Sequence, residues 1–287
     1  MSPHRAAVLG HPIAHSLSPV LHRAAYAELG LDGWRYDAVD VTEEQLPAFV
    51  GQLDGEWAGL SLTMPLKQAV LGLLDHVEPL AEVVGAVNTV LVQAGRPSVP
   101  PVLVGVNTDV AGVVAALREG LGEGATVRRA VVLGAGATAA STLAALAQLG
   151  CPTPQVFVRS MARAGSTMRA SHRMGVDPAF LVMEPAERLT AALAAADVVV
   201  STLPPHAADP WAEQIRGTST PGVLLDCAYD PRPTALGVAW HDGGGVVVGG
   251  ERMLLHQAAE QVRLMTGRPA PVQAMEAALA AALESIS

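Results

Sequence analysis

The chain of 287 residues is half hydrophobic, 16% charged and only 3% aromatic, which excludes a disordered polymer and calls for an aliphatic core. Its formal charge of −9 argues against a nucleic-acid or anionic-membrane surface. From the N-terminus, residues 6–9 read as a short buried strand, and Pro19 and Gly30 bracket an amphipathic helix over 20–29. Residues 34–41 alternate like a strand, 43–53 like a helix and 57–63 like a strand again. Pro65 opens a helix carrying Lys67 in its first turn, and strands are expected at 88–92 and 102–106. Asn107, Thr108 and Asp109 offer capping side chains for a helix over 110–119, as Ser18 does before Pro19.

A second unit begins near Arg128. A buried strand at 130–133 runs into a glycine-containing turn and a helix reaching Gly150. Further apolar strands are expected at 155–158, 197–201, 223–226 and 246–248, then helices over 253–267 and 271–286. Strands separated by helices imply right-handed crossovers and parallel pairing.

The segment Gly134-Ala135-Gly136-Ala137-Thr138-Ala139 has the form G-x-G-x-x-A between a strand and a helix. Gly134 permits the tight turn and Gly136 lets a pyrophosphate approach the backbone. Ala139 lets helix pack close to strand, and the helix N-terminus offers unpaired N–H groups. Glycine turns also join strands to helices without any ligand, but here the context is that of a dinucleotide site. The next strand ends without a carboxylate for a ribose 2′-hydroxyl. It continues Arg159-Ser160-Met161-Ala162-Arg163, whose guanidiniums suit a 2′-phosphate, so NADP is expected rather than NAD. In an Arg-rich chain the bland alternative is two solvated arginines.

That Arg bias sharpens another signal. The sequence holds 17 arginines and one lysine, Lys67. Arginine stays protonated in proteins, whereas lysine is a compact charge whose pKa can be moved into a useful range. Other functional classes fit poorly. Two cysteines, Cys151 and Cys227, make neither a disulfide framework nor a four-thiolate zinc site. Nine histidines lack H-E-x-x-H spacing, and His11 with His15 has no evident third ligand, so no metal is expected. The chain has no G-x-S-x-G nucleophile turn. Neither a signal peptide nor a membrane-length apolar run is evident, so a soluble, reduced, cytoplasmic protein is expected, monomeric or homodimeric, with neither nucleic-acid nor membrane partner.

Four polar clusters remain: His15-Ser16-Leu17-Ser18-Pro19, Ser61-Leu62-Thr63-Met64-Pro65-Leu66-Lys67, Gly85-Ala86-Val87-Asn88-Thr89 and Asn107-Thr108-Asp109. Together with the glycine turn and Met253-Leu254-Leu255-His256-Gln257-Ala258, they resemble the shikimate dehydrogenase family, in that family's order, from about residue 8 to 275. The resemblance implies reversible NADP-dependent oxidation of a shikimate ring hydroxyl to 3-dehydroshikimate. It assigns Lys67 and Asp109 as the catalytic pair, and Ser16, Ser18, Thr63, Asn88, Tyr229 and Gln257 as substrate contacts. The cofactor set is Gly134 to Ala139, Arg159, Ser160, Arg163, Gly250 and Met253. Lys67 can act as base or acid on the hydroxyl, or stabilise alkoxide charge, while Asp109 positions it. Serine hydroxyls suit a ring carboxylate, and Asn88 and Gln257 can each donate and accept.

This sequence departs from the family where Ser61 replaces a frequent Asn, Val106 a frequent Asp, and Val158 the Asn of an Asn-Arg-Thr/Ser loop. The change at 106 leaves quinate or an aminated shikimate analogue open as substrate. A non-catalytic NADP-binding regulator on the same scaffold is the alternative of a different class. The expected fold is α/β. A mixed α/β substrate domain, 1–108 with 249–287, accompanies a doubly wound Rossmann-type NADP-binding domain, 109–248. The active site is expected in the cleft between them.

Overall fold

The computed structural model describes residues 4–95, 99–122 and 124–286. Of the expected domain ranges, residues 1–3, 96–98, 123 and 287 therefore lie outside the described residues. The chain forms two compact units, Met1–Thr108 with Leu255–Ser287, and Asp109–Leu254. The later division falls at 254/255 rather than 248/249, inside the helix Gly250–Thr266. The first turn of that helix stays with the second unit, where Met253 Sδ lies 3.8 Å from Cys227 Sγ.

Six strands form the sheet of the first unit: β1 (His4–Gly10), β2 (Trp34–Asp40), β3 (Trp57–Leu62), β4 (His76–Val77), β5 (Thr89–Gln93) and β6 (Val102–Val106). Their order is β2-β1-β3-β5-β6-β4. The first three are mutually parallel, whereas β5 runs antiparallel to both β3 and β6. The sheet is therefore mixed. β1 is buried along most of its length, as its run Ala6-Ala7-Val8-Leu9 requires of a strand covered on both faces. Leu9, Leu46, Leu60, Leu62, Leu66, Val87, Val90 and Trp57 meet in one apolar cluster.

Two local expectations need correction. The helix expected over 43–53 covers only Leu46–Val50. Pro47 fits only a first helical turn, and Gln45 Oε1 accepts the Thr42 N–H at 3.0 Å, holding the preceding residues as a turn. Ser18 is no cap. It is the first residue of the helix Ser18–Glu28, the cap position falls to Leu17, and no side chain caps it. The helix bearing Lys67 is short, Leu66–Ala69, and tightens into a 3₁₀ turn, Val70–Leu73.

The second unit adds β7 (Ala130–Leu133), β8 (Gln155–Val158), β9 (Ala179–Val182), β10 (Val198–Ser201), β11 (Val223–Asp226) and β12 (Val246–Gly249). All pairs are parallel, in the order β12-β11-β10-β7-β8-β9. This is the doubly wound arrangement, with the order reversing beside β7, where open α/β sheets bind ligands at the strand ends. Sequence periodicity passed over β9, whose partly exposed edge position weakens its apolar signal. Trp240 is fully buried in the core with Phe157, Leu133, Val199 and Leu224, and its indole N–H donates to the Gly222 carbonyl at 2.9 Å.

Replacing Trp240 by Ala removes a large apolar volume and one of two donors to that carbonyl, which keeps the Val246 N–H at 3.1 Å. We expect a loss of about 3–5 kcal/mol of stability, read as a lowered urea midpoint by circular dichroism.

Candidate active site

Asn88 stands immediately before β5 and is 1% exposed. A buried amide must be paired. Its Oδ1 accepts the backbone N–H of Thr108 at 2.7 Å and the Thr89 hydroxyl at 3.0 Å. Its Nδ2 donates to Thr108 Oγ1 at 2.9 Å and to Gln257 Oε1 at 3.1 Å. The fold thus joins three separate sequence clusters through one side chain. Asn107 is spent structurally, donating to the Ala86 carbonyl at 2.8 Å. Lys67 lies beside this segment, because its carbonyl accepts the Val87 N–H at 2.8 Å. Its side chain is half-buried, as are Thr63 and Ser16, while Ser18 is buried.

Sequence reading missed a second layer behind these residues. Gln261, one helical turn beyond Gln257, accepts hydrogen bonds from Ser61 Oγ at 2.9 Å and His22 Nε2 at 3.2 Å. It donates to Thr89 Oγ1 at 3.0 Å and the Asn88 carbonyl at 3.3 Å. The Tyr36 hydroxyl donates to Ser61 Oγ at 2.6 Å. His22 stacks on Tyr36 with ring centroids 3.9 Å apart. The available signal was the i, i+4 spacing of Gln257 and Gln261, which places both on one helix face.

Burial drives the His22 pKa down to about 3, against a weaker opposing effect of its bond to Gln261. The ring is therefore neutral at ordinary pH, and its Nε2 carries the hydrogen that the Gln261 oxygen accepts.

In the second unit, Asp109 opens the helix Asp109–Leu121 and is 2% exposed. Tyr229 also belongs to this unit and lines a cavity of ≈ 680 Å³ with Asp226 and Arg232. Burial raises the pKa of its hydroxyl, keeping it protonated. At the end of β7, Gly134 has φ +105°, and a Cβ there would lie 2.6 Å from Thr202 Oγ1. Gly136 has open space where a Cβ would stand and no side chain capping the helix Ala137–Gln148. Its first amides therefore have the character of an anion site. Thr138 is half-buried and Ala139 buried, so the helix packs close to the sheet. Ala135 is fixed by Thr167, whose hydroxyl donates to its carbonyl at 2.7 Å. Arg159 and Arg163 are exposed on the loop after β8, with Ser160 between them half-buried. Gly250 and Met253 are buried in the first turn of the helix after β12. These features fit a phosphorylated dinucleotide. Among the described residues no group of three or more His, Cys, Asp or Glu could hold a metal ion, and no helix is long and apolar enough to cross a membrane.

A doubly wound unit with this turn, in one chain with a mixed α/β unit rich in buried amides and hydroxyls, defines a nucleotide-dependent oxidoreductase. Residues 8–90 match the family model of the shikimate dehydrogenase substrate binding domain, and 250–280 that of the shikimate 5'-dehydrogenase C-terminal domain. A shikimate dehydrogenase (NADP(+)) of Symbiobacterium thermophilum is 36% identical over 283 residues, covering 96% of this chain and 94% of that protein. The crystal structure of Mycobacterium tuberculosis shikimate dehydrogenase has a TM-score of 0.85 at 41% identity, covering 97% of this chain and 100% of the other. The Thermus thermophilus shikimate 5-dehydrogenase in complex with NADP(H) and shikimate has a TM-score of 0.80 at 34% identity, covering 97% and 99%. The chain belongs to the shikimate dehydrogenase family.

The His22 geometry has a pH signature. Its folded pKa lies below the unfolded value, so the unfolded chain binds the extra proton between about pH 6.5 and 3. Stability is lost as pH falls through that window, by up to about 1.4 kcal/mol per pH unit from this group. We expect His22→Phe to flatten the acid side of the urea-midpoint profile. Parallel profiles for the two proteins would contradict the assignment.

Proposed function

We propose that this chain catalyses the reversible NADP-dependent oxidation of shikimate to 3-dehydroshikimate, a step toward chorismate and the aromatic amino acids. The observation that carries this reading is the Asn88–Gln257 pair. These residues stand 169 positions apart, lie in two of the blocks that match the family, and meet at 3.1 Å. Two amides so placed can address ring hydroxyls as donor and acceptor together.

Bound NADP supplies the hydride acceptor. The Gly134–Ala139 turn holds its pyrophosphate on backbone N–H groups, and Arg159 with Arg163 holds the 2′-phosphate. Ser160, Gly250 and Met253 complete that side. Ser16 and Ser18 hold the substrate carboxylate, and Thr63, Asn88, Gln257 and Tyr229 its ring hydroxyls. Lys67 moves the proton at the reacting hydroxyl oxygen, taking it during oxidation and returning it during reduction. Asp109 is the carboxylate assigned to the same step. Val106 supplies no charge where the family frequently has Asp, so quinate is the competing substrate to assay.

Absorbance at 340 nm with shikimate or quinate, each with NADP or NAD, tests the reading. Shikimate with NADP should give the highest kcat/KM, and no turnover with that pair would refute it.

Two substitutions test the assignments. Lys67→Arg keeps the charge but loses the compact proton carrier, so kcat should fall roughly 10²–10⁴-fold with an unchanged thermal melt. Near wild-type turnover would remove Lys67 from the chemistry. Charge-assisted contacts contribute about 1.5–3 kcal/mol each. Arg159→Ala should therefore raise KM for NADP by about tenfold or more while moving KM for NAD little. Equal changes would mean the guanidinium does not bind the phosphate.

A further inference from the structure

We propose that Gln261 is a positioning residue for substrate recognition, holding Gln257 in place by locking their shared helix face to β3, β5 and the helix Ser18–Glu28. The inference rests on the assignment of Asn88 and Gln257 to the substrate. A glutamine side chain offers two N–H donors and two oxygen lone pairs, and Gln261 uses all four. Its oxygen accepts from Ser61 Oγ and His22 Nε2, and its nitrogen donates to Thr89 Oγ1 and the Asn88 carbonyl. The residue is 1% exposed, so water cannot replace these partners.

The hydrogens run in one direction through this layer. Tyr36 donates to Ser61, and Ser61 donates to the Gln261 oxygen. Gln261 donates to Thr89, and Thr89 donates to Asn88 Oδ1. The backbone N–H of Thr108 reinforces that same end of the Asn88 amide. Asn88 Nδ2 is left facing the Gln257 oxygen, so the Gln257 nitrogen points the other way. A roll or slide of the helix would carry Gln257 off Asn88, and it would break the bonds of Gln261 one turn along. Gln261 touches none of the reacting atoms in this scheme. It acts through Asn88 and Gln257.

Gln261→Met keeps the length and volume of the side chain and removes all four bonds. KM for shikimate should rise roughly tenfold, with KM for NADP within twofold of wild type, because the dinucleotide site belongs to the other unit. Ser61→Ala is the gentler excision, removing one of two donors to the Gln261 oxygen, and should raise KM for shikimate about threefold. It decides the question if Gln261→Met does not fold. A purely structural role predicts a lower melting temperature with unchanged KM for shikimate, and that result overturns the proposal. Crystal structures of wild type and Gln261→Met supply a readout independent of turnover. Separation of Gln257 from Asn88 in the variant supports the proposal, whereas retention of their contact overturns it. Failure of the wild-type protein to oxidise shikimate would refute the assigned activity, while those structures would still decide whether Gln261 positions Gln257.

Discussion

A buried amide cannot be left half-paired, and that requirement at Asn88 organises the first unit. Desolvating an unpaired amide costs about 1–3 kcal/mol by mutational measures, a large part of the margin that holds a domain together. Asn88 meets the requirement by drawing on the residue after it, on Thr108 beyond β6, and on Gln257 from the C-terminal part of the chain. Four polar residues therefore become inseparable from the sheet. β5 runs antiparallel to β3 and β6, and Thr89 and Thr108 converge on the Asn88 oxygen with their own hydroxyls 3.3 Å apart. The same bonds that satisfy the interior set the positions of the groups assigned to the substrate.

The second unit meets a different constraint by a different route. There the backbone supplies the binding groups, and side chains mainly stay out of the way. Gly134 occupies a left-handed conformation against Thr202, and Thr202 is fixed by donating to the Leu133 carbonyl at 2.8 Å. The aliphatic strands Ala130–Leu133 and Val198–Ser201 are buried throughout, so the turn is mounted on a rigid support. An Arg-biased composition then provides cations on the loop after β8 without disturbing that interior.

The strands showed clearly in the sequence wherever they are central, since a run such as Val131-Val132-Leu133 has no stable place except a covered sheet. The short edge pieces did not. β4 is two residues long and β9 is partly exposed, so neither produces a periodic apolar pattern. The helix expected over 43–53 was begun too early because periodicity outweighed Pro47, which fits only the first turn of the helix Leu46–Val50. At the site, Asn88, Gln257, Lys67 and Gly134 stood out through motif and composition. His22, Tyr36 and Gln261 did not, because their role comes from contacts spanning up to 239 positions. A histidine in the middle of an amphipathic helix carries no mark of what it will face.

The placement of the tryptophans has a spectroscopic consequence. Trp34 and Trp57 belong to the first unit, and Trp211 and Trp240 to the second, so each carries its own pair of intrinsic fluorophores. Trp57 is nearly buried against Arg5, whose guanidinium carbon sits 4.5 Å from the ring centroid, and Trp240 is fully enclosed. Emission from these two will shift to the red when their own surroundings admit water. With Phe in place of either pair, the remaining light reports one unit alone, and the cooperativity of unfolding between the halves becomes directly measurable.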